Sequence, residues 1–287
     1  MPLVLVLGWA LSWSFSYYLR PLMFFDSVSF NTYNKNIIMR TQKLSNHSVK
    51  IYDSIEELPI GRFHKYNKCM LVDSGLGSDL QDADGHFVRA IMMIQSGQNE
   101  LAVKELENLR QGLYLIDQSL SPKHMAYAVL VKEVDGNIRD DISDEGLKET
   151  LKMINETPKG VMDWFFESVK KKIEEELTVY FPEQFEDAGV KEYYDILKRR
   201  TLYVLEEVQG EDREKEIQGI DNRLLMMNKP KSFSGKGNSE VGFDKNYEEM
   251  NIIISQQLSV DPKNMTVVQY YTVLEYLRNK KNPTRRG

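Results

Sequence analysis

Between Gly160 and Phe181 the chain reads GVMDWFFESVKKKIEEELTVYF, and its apolar positions leave little choice of fold. Val161, Trp164, Phe165, Val169, Ile173, Leu177 and Tyr180 recur every three or four residues, so an α-helix gathers them on one face and a strand scatters them on two. Pro158 stands before the run and Pro182 ends it. Lys170–Lys172 followed by Glu174–Glu176 sets lysines four residues ahead of glutamates. That order serves the helix dipole less well than the reverse, and the run is expected to be a solvated face.

The same period continues. Val190, Tyr194, Leu197, Thr201, Val204 and Val208 alternate steps of four and three, a heptad-like seam. After Gly210, a charged stretch places Ile217, Ile220, Leu224 and Met227 at helical spacing. The two predict a helical hairpin, packed on the preceding helix or on another subunit. Further on, Tyr247, Met250, Ile254 and Leu258 mark one helix. Val267, Tyr271, Leu274 and Leu277 mark another, with Thr266 and Gln269 at capping-box spacing. Upstream, Phe87, Ala90, Ile91 and Ile94 form an apolar face that Gly97 closes, and Asn99 opens a helix carrying Leu101, Leu106, Leu109, Leu113 and Ile116.

Two stretches are less regular. IYDSIEELPIGRFHKYNKCMLVD, from Ile51, holds Pro59, Gly61, aromatics and β-branched residues, and reads as loop with one or two short strands, with Cys69–Val72 either a buried run or the lead into the helix that follows. SPKHMAYAVLVKEVDGNIRDDI offers Ser121 and Pro122 as a helix start but also a hairpin turning at Asp135-Gly136. The preferred reading is a helix to about Val131 and then a turn. Ser143 is placed to cap a helix that begins DEGLKETLKMI.

The expected fold is therefore mainly α, a helical domain with a small mixed or β-containing N-terminal part. Its regions are an apolar leader (1–38), a mixed, mostly helical part (39–157), an amphipathic bundle (158–228), a linker (229–243) and a C-terminal helical hairpin with a basic tail (244–287). The leader holds nine of the thirty aromatics, and Leu3–Leu19 is uncharged for 17 residues. That is slightly short of the roughly 20 residues that span a bilayer. A membrane anchor, a poorly formed secretory signal and a mis-set start with the soluble chain beginning at Met39 all remain open.

Candidate chemistry fails position by position. DSGLGSDLQDADG, Asp73–Gly85, lacks the lysine and the spacing of a phosphate loop and the third glycine of a dinucleotide loop. Aligned as a calcium loop it puts Leu80 and Ile91 where acids belong. Ser78 and Gln81 instead fit a helix start with Asp79 and Asp82 at its positive end. SGKGNS, from Ser234, lacks both the preceding strand and the spacing of a phosphate loop. One cysteine, Cys69, and four scattered histidines give no zinc pattern. A net charge of −6 argues against a chain built to coat nucleic acid. No catalytic, cofactor-binding or metal-ligating residue is nominated and no cofactor is expected; an enzyme acting on phosphate or through a metal at the 73–85 loop is the least favoured alternative.

Three segments taken in order, SIEELPIGRFHKYNKCMLVDSGLGSD, VKKKIEEELTVYFPEQFED and DPKNMTVVQYYTVLEYLRNKKN, resemble structural-region proteins of tailed bacteriophages, the crAss-like phages in particular. The resemblance spans most of residues 51–282. It implies a non-enzymatic virion protein, such as a neck, ring, connector or tail component, or else a head or tail assembly chaperone. It also implies other virion or assembly proteins, or further copies of the chain, as partners, and a location in the virion or the host cytoplasm. No specific nucleic acid is expected, and a membrane only if the leader is genuine. The residues nominated for such contacts are Val190, Tyr194, Leu197, Thr201, Val204 and Val208 of the seam, with Tyr271 and Leu274 of the last helix.

Overall fold

The computed structural model describes residues 41–44, 47–72, 83–117, 121–154, 159–185, 188–227 and 229–281. Within them the chain is mainly helical, with eleven α-helices and one small antiparallel sheet. It divides into two compact units that are each discontinuous in sequence. One takes in the described parts of Leu71–Ser121 and Glu186–Asn246; the other those of Arg20–Met70, Pro122–Phe185 and Tyr247–Gly287. The regions expected to follow one another along the chain are thus distributed between units: 39–157 and 158–228 each contribute to both.

The sheet belongs to the second unit. Strands β1 (Thr41–Leu44), β2 (His47–Ile51), β3 (Val131–Val134) and β4 (Asn137–Ile138) lie in that order, each antiparallel to the next. Lys50 faces Glu133 across the β2–β3 ladder, and their side chains pair at 2.7 Å. The β3–β4 turn is Asp135-Gly136, both with positive φ (51° and 80°), as a two-residue turn matching strand twist requires. Asp135 also accepts from the Ser48 amide at 2.8 Å and lies 2.6 Å from His47 Nδ1. Both readings of the 121–142 stretch therefore hold in succession, because helix α4 (Pro122–Leu130) runs directly into β3.

That junction has no loop, and a buried arginine makes it possible. Helix α1 (Ile60–Val72) stands where a loop with short strands was expected. Its buried face is Ile60, Phe63, Tyr66 and Met70, and it also buries Arg62. Arg62 Nη1 donates to the Val129 and Val131 carbonyls at 2.8 and 3.2 Å, and Nη2 donates to the Arg139 carbonyl. The guanidinium thus collects carbonyls freed where helical bonding changes to strand bonding. It also lies 5.4 Å from the Tyr52 ring centroid.

Around α1 pack α5 (Asp144–Ile154), α6 (Lys159–Tyr180), the short α7 (Pro182–Phe185) and α11 (Val267–Lys281). Their core includes Leu147, Ile154, Phe165, Phe166, Ile173, Leu177, Phe181 and Val267. Ser143 Oγ accepts from the Gly146 amide at 3.2 Å, the expected cap. Thr266 and Gln269 form the reciprocal box: the Thr266 amide donates to Gln269 Oε1 (3.0 Å) and the Gln269 amide to Thr266 Oγ1 (3.4 Å). The lysine–glutamate run of α6 is only partly a solvated face. Glu176 is buried and accepts from Ser54 Oγ and the Ile55 amide at 3.0 and 2.9 Å, while Lys172 pairs with Asp53 at 2.9 Å.

The first unit contains α2 (Ala83–Gln95), α3 (Asn99–Asp117), α8 (Ala188–Val208), α9 (Glu214–Met227) and the start of α10 (Ser239–Leu258). Gly97, at φ 73°, reverses the chain between α2 and α3, which makes them an antiparallel pair. Met93 of α2, Ala102 of α3 and Leu225 of α9 form a common cluster. The 229–243 stretch, expected as a linker, is instead bonded into this unit. Lys231 Nζ donates to the Leu71 carbonyl at 3.1 Å, and Asn238 Oδ1 accepts from the Glu240 and Val241 amides that begin α10. Among the described residues no helix is long and apolar enough to cross a membrane.

Candidate interaction surface

Of the four residues expected to form the apolar face of α2, only Ala90 is buried. Ala90 is buried, with His86 and Met93, but Phe87, Val88, Ile91 and Ile94 are exposed. The helix instead turns inward a face that includes an ionic cluster. Arg89 Nε donates to Glu105 Oε1 of α3 at 2.6 Å, His86 Nδ1 lies 2.8 Å from the same oxygen, and Arg89 Nη2 is 2.9 Å from that nitrogen. His86 and Glu105 are both buried. Burial alone would raise the Glu105 pKa, but the His86 hydrogen bond and the Arg89 charge outweigh it and hold the carboxyl below its ordinary range. With both His86 and Arg89 of α2 brought onto Glu105 of α3, the cluster works as a polar fastener of the hairpin.

Helix α3 behaves like α2. It buries Ala102, Glu105 and Leu109 and exposes Val103, Leu106, Leu113 and Tyr114. At 3.6 residues per turn, the α2 stripe is offset from its buried face by about a third of a turn and the α3 stripe by about a quarter, in the same rotational sense. In an antiparallel pair, equal senses bring both stripes to the same side of the hairpin. The eight side chains, between 38% and 61% exposed, therefore form one two-helix apolar platform.

The nominated seam lies on α8. Val190 falls in the helix, but its side chain lies outside the described set. Leu197 and Val204 are half-buried, whereas Tyr194 and Thr201 are exposed and Val208 is 80% exposed. Among the described side chains of α8 the buried one is Ile196. The hairpin with α9 forms as expected, held in part by Arg200 bidentate on Asp221 (2.5 and 3.1 Å) and by an Arg223–Glu192 pair. Leu202 and Leu205 are exposed as well, so Tyr194, Leu202, Leu205 and Val208 make a second apolar stripe, rotated slightly from the predicted seam.

Tyr271 and Leu274 are placed differently. Leu274 is buried, and the Tyr271 ring packs edge-on against Phe185 (centroids 5.0 Å apart) and beside Phe181 and Phe63. Burial drives the Tyr271 phenol well above its ordinary pKa. These two side chains are used inside the second unit and leave the surface to others. The platform on α2 and α3 was missed because its residues carry the stronger apolar period. Only the partnering of His86, Arg89 and Glu105, which no single sequence displays, shows which face turns inward.

Most of the Asp73–Gly85 segment and all of 1–38 lie outside the described residues; the described part of the former, Ala83–Gly85, is the first turn of α2. Among the described residues no group of three or more His, Cys, Asp and Glu side chains is arranged to hold a metal ion. No protein family, curated protein or solved structure matches the chain.

Proposed function

We propose that this protein is a structural subunit of a tailed-phage particle, a neck, ring, connector or tail component, that works through protein–protein contacts. The observation that carries the reading is the apolar platform on α2 and α3, continued in kind by the stripe on α8. A protein that acted alone would gain nothing from leaving so many large aliphatic and aromatic side chains in water, whereas a subunit buries them on assembly. The ordered resemblance of three segments to phage structural-region proteins supplies the class of assembly.

The test is mass spectrometry of purified particles, with the chain quantified against the capsid protein. A fixed, stoichiometric ratio that survives high-salt washing supports the reading. Presence in the lysate with absence from mature particles overturns it in favour of an assembly factor.

A further inference from the structure

The geometry points to a second copy of this chain as the occupant of the α2–α3 platform, in a two-fold four-helix bundle whose axis runs parallel to the hairpin. The inference rests on reading the platform as a contact surface and names its partner. A two-fold axis along the helices preserves height. Each residue of α2 therefore meets, in the partner's α3, the positions level with its own intramolecular neighbours.

Those levels are fixed by contacts already described. Arg89 stands level with Glu105, and Met93 packs with Ala102. Equal steps along both helices then bring Ile91 level with Val103 and Val88 level with Leu106, joining the two stripes apolar to apolar at these heights. The next step down α2 reaches Asp84, and the corresponding step up α3 reaches Arg110; both side chains are exposed. Asp84 of one copy thus faces Arg110 of the other, and the symmetry makes the pair twice. No register needs choosing, since the axis sets it. In that register Ile91 and Val88 meet Val103 and Leu106 of the other copy, and opposite charges meet at the end of the seam. An unrelated partner would not be bound to match the heights within this hairpin.

Sedimentation velocity of the full chain over a range of concentrations tests the proposal. A monomer–dimer equilibrium is expected, and Asp84→Arg or Arg110→Asp alone should weaken dimerisation roughly tenfold or more. The combined exchange should restore it to within about threefold of the wild type. Ile91→Glu should abolish the dimer while the far-ultraviolet circular dichroism stays unchanged. If either charge reversal lowers the helical signal, Asp84→Asn and Arg110→Gln give the same comparison with smaller changes. A wild type that stays monomeric, or a dimer indifferent to these substitutions and not rescued by the exchange, overturns self-association. Particle proteomics separates the two readings. A monomeric chain found in particles would leave the structural role standing with a different protein on the platform. A dimer absent from particles would remove the phage role and keep the dimer.

Discussion

Two side chains show how much of this structure rests on buried charge. Glu105 is buried and receives both His86 and Arg89, the latter 24% exposed, so removing its charge takes the carboxylate from a partly buried guanidinium. Glu105→Gln should cost about 2 kcal/mol in chemical denaturation, the scale of losing charge-assisted hydrogen bonds to a partly buried partner. Its pKa gives the sign of a pH effect. A carboxyl whose folded pKa is depressed contributes stability above its ordinary value of 4.5 and loses it as pH falls through the lower, folded value. The wild type should therefore lose more stability than Glu105→Gln between pH 6 and about 3, and parallel acid curves would refute the assignment. Arg62 poses the complementary case. Lysine retains the charge but cannot reach the Val129, Val131 and Arg139 carbonyls together. Arg62→Lys should cost about 2 kcal/mol, read as a shifted denaturation midpoint with unchanged slope.

At the scale of elements, the parts legible in the sequence are those whose cause is local. The Thr266–Gln269 box, the Ser143 cap and the Gly97 and Asp135-Gly136 turns each depend on side-chain chemistry within a few residues, and each forms where the residues indicate. Helix α1 was hidden for the opposite reason. Pro59 and Gly61 look like loop, and the arginine that justifies the helix is bonded to a strand nearly seventy residues on. The burial of Glu176 was equally hidden, since its partners Ser54 and Ile55 are remote in sequence. The turn yields a test at this scale. Gly136 sits at φ 80° with open space where a β-carbon would stand, so Gly136→Ala meets only backbone strain. It should destabilise the protein by about 1 kcal/mol, and the amides of β3 and β4 should exchange faster. A neutral outcome would mean that the turn adopts a different conformation in solution.

For the whole molecule, the question is why one face of a helix is buried and another left in water. The period of apolar residues specifies that helices form, and both units obey it. It does not say which of two apolar stripes goes inside. In α2 and α8 the sequence carries more hydrophobic positions than one packing face can use. On the proposed reading that surplus is what assembly buries, and it can be removed by changing exposed side chains alone. Leu202→Glu together with Leu205→Glu changes two exposed side chains on α8, away from the buried Ile196 and the Arg200–Asp221 pair. Surface substitutions of this kind shift stability by about 0.5 kcal/mol or less each, so the denaturation midpoint should barely move. Incorporation into particles, measured by the same quantitative mass spectrometry, should fall, because two charges per copy would have to be desolvated against a partner. A stability loss above about 2 kcal/mol would show that these leucines are covered within the protomer in solution. Unchanged stability with unchanged incorporation would confine the working surface to the α2–α3 platform, where the charge exchange at Asp84 and Arg110 then decides.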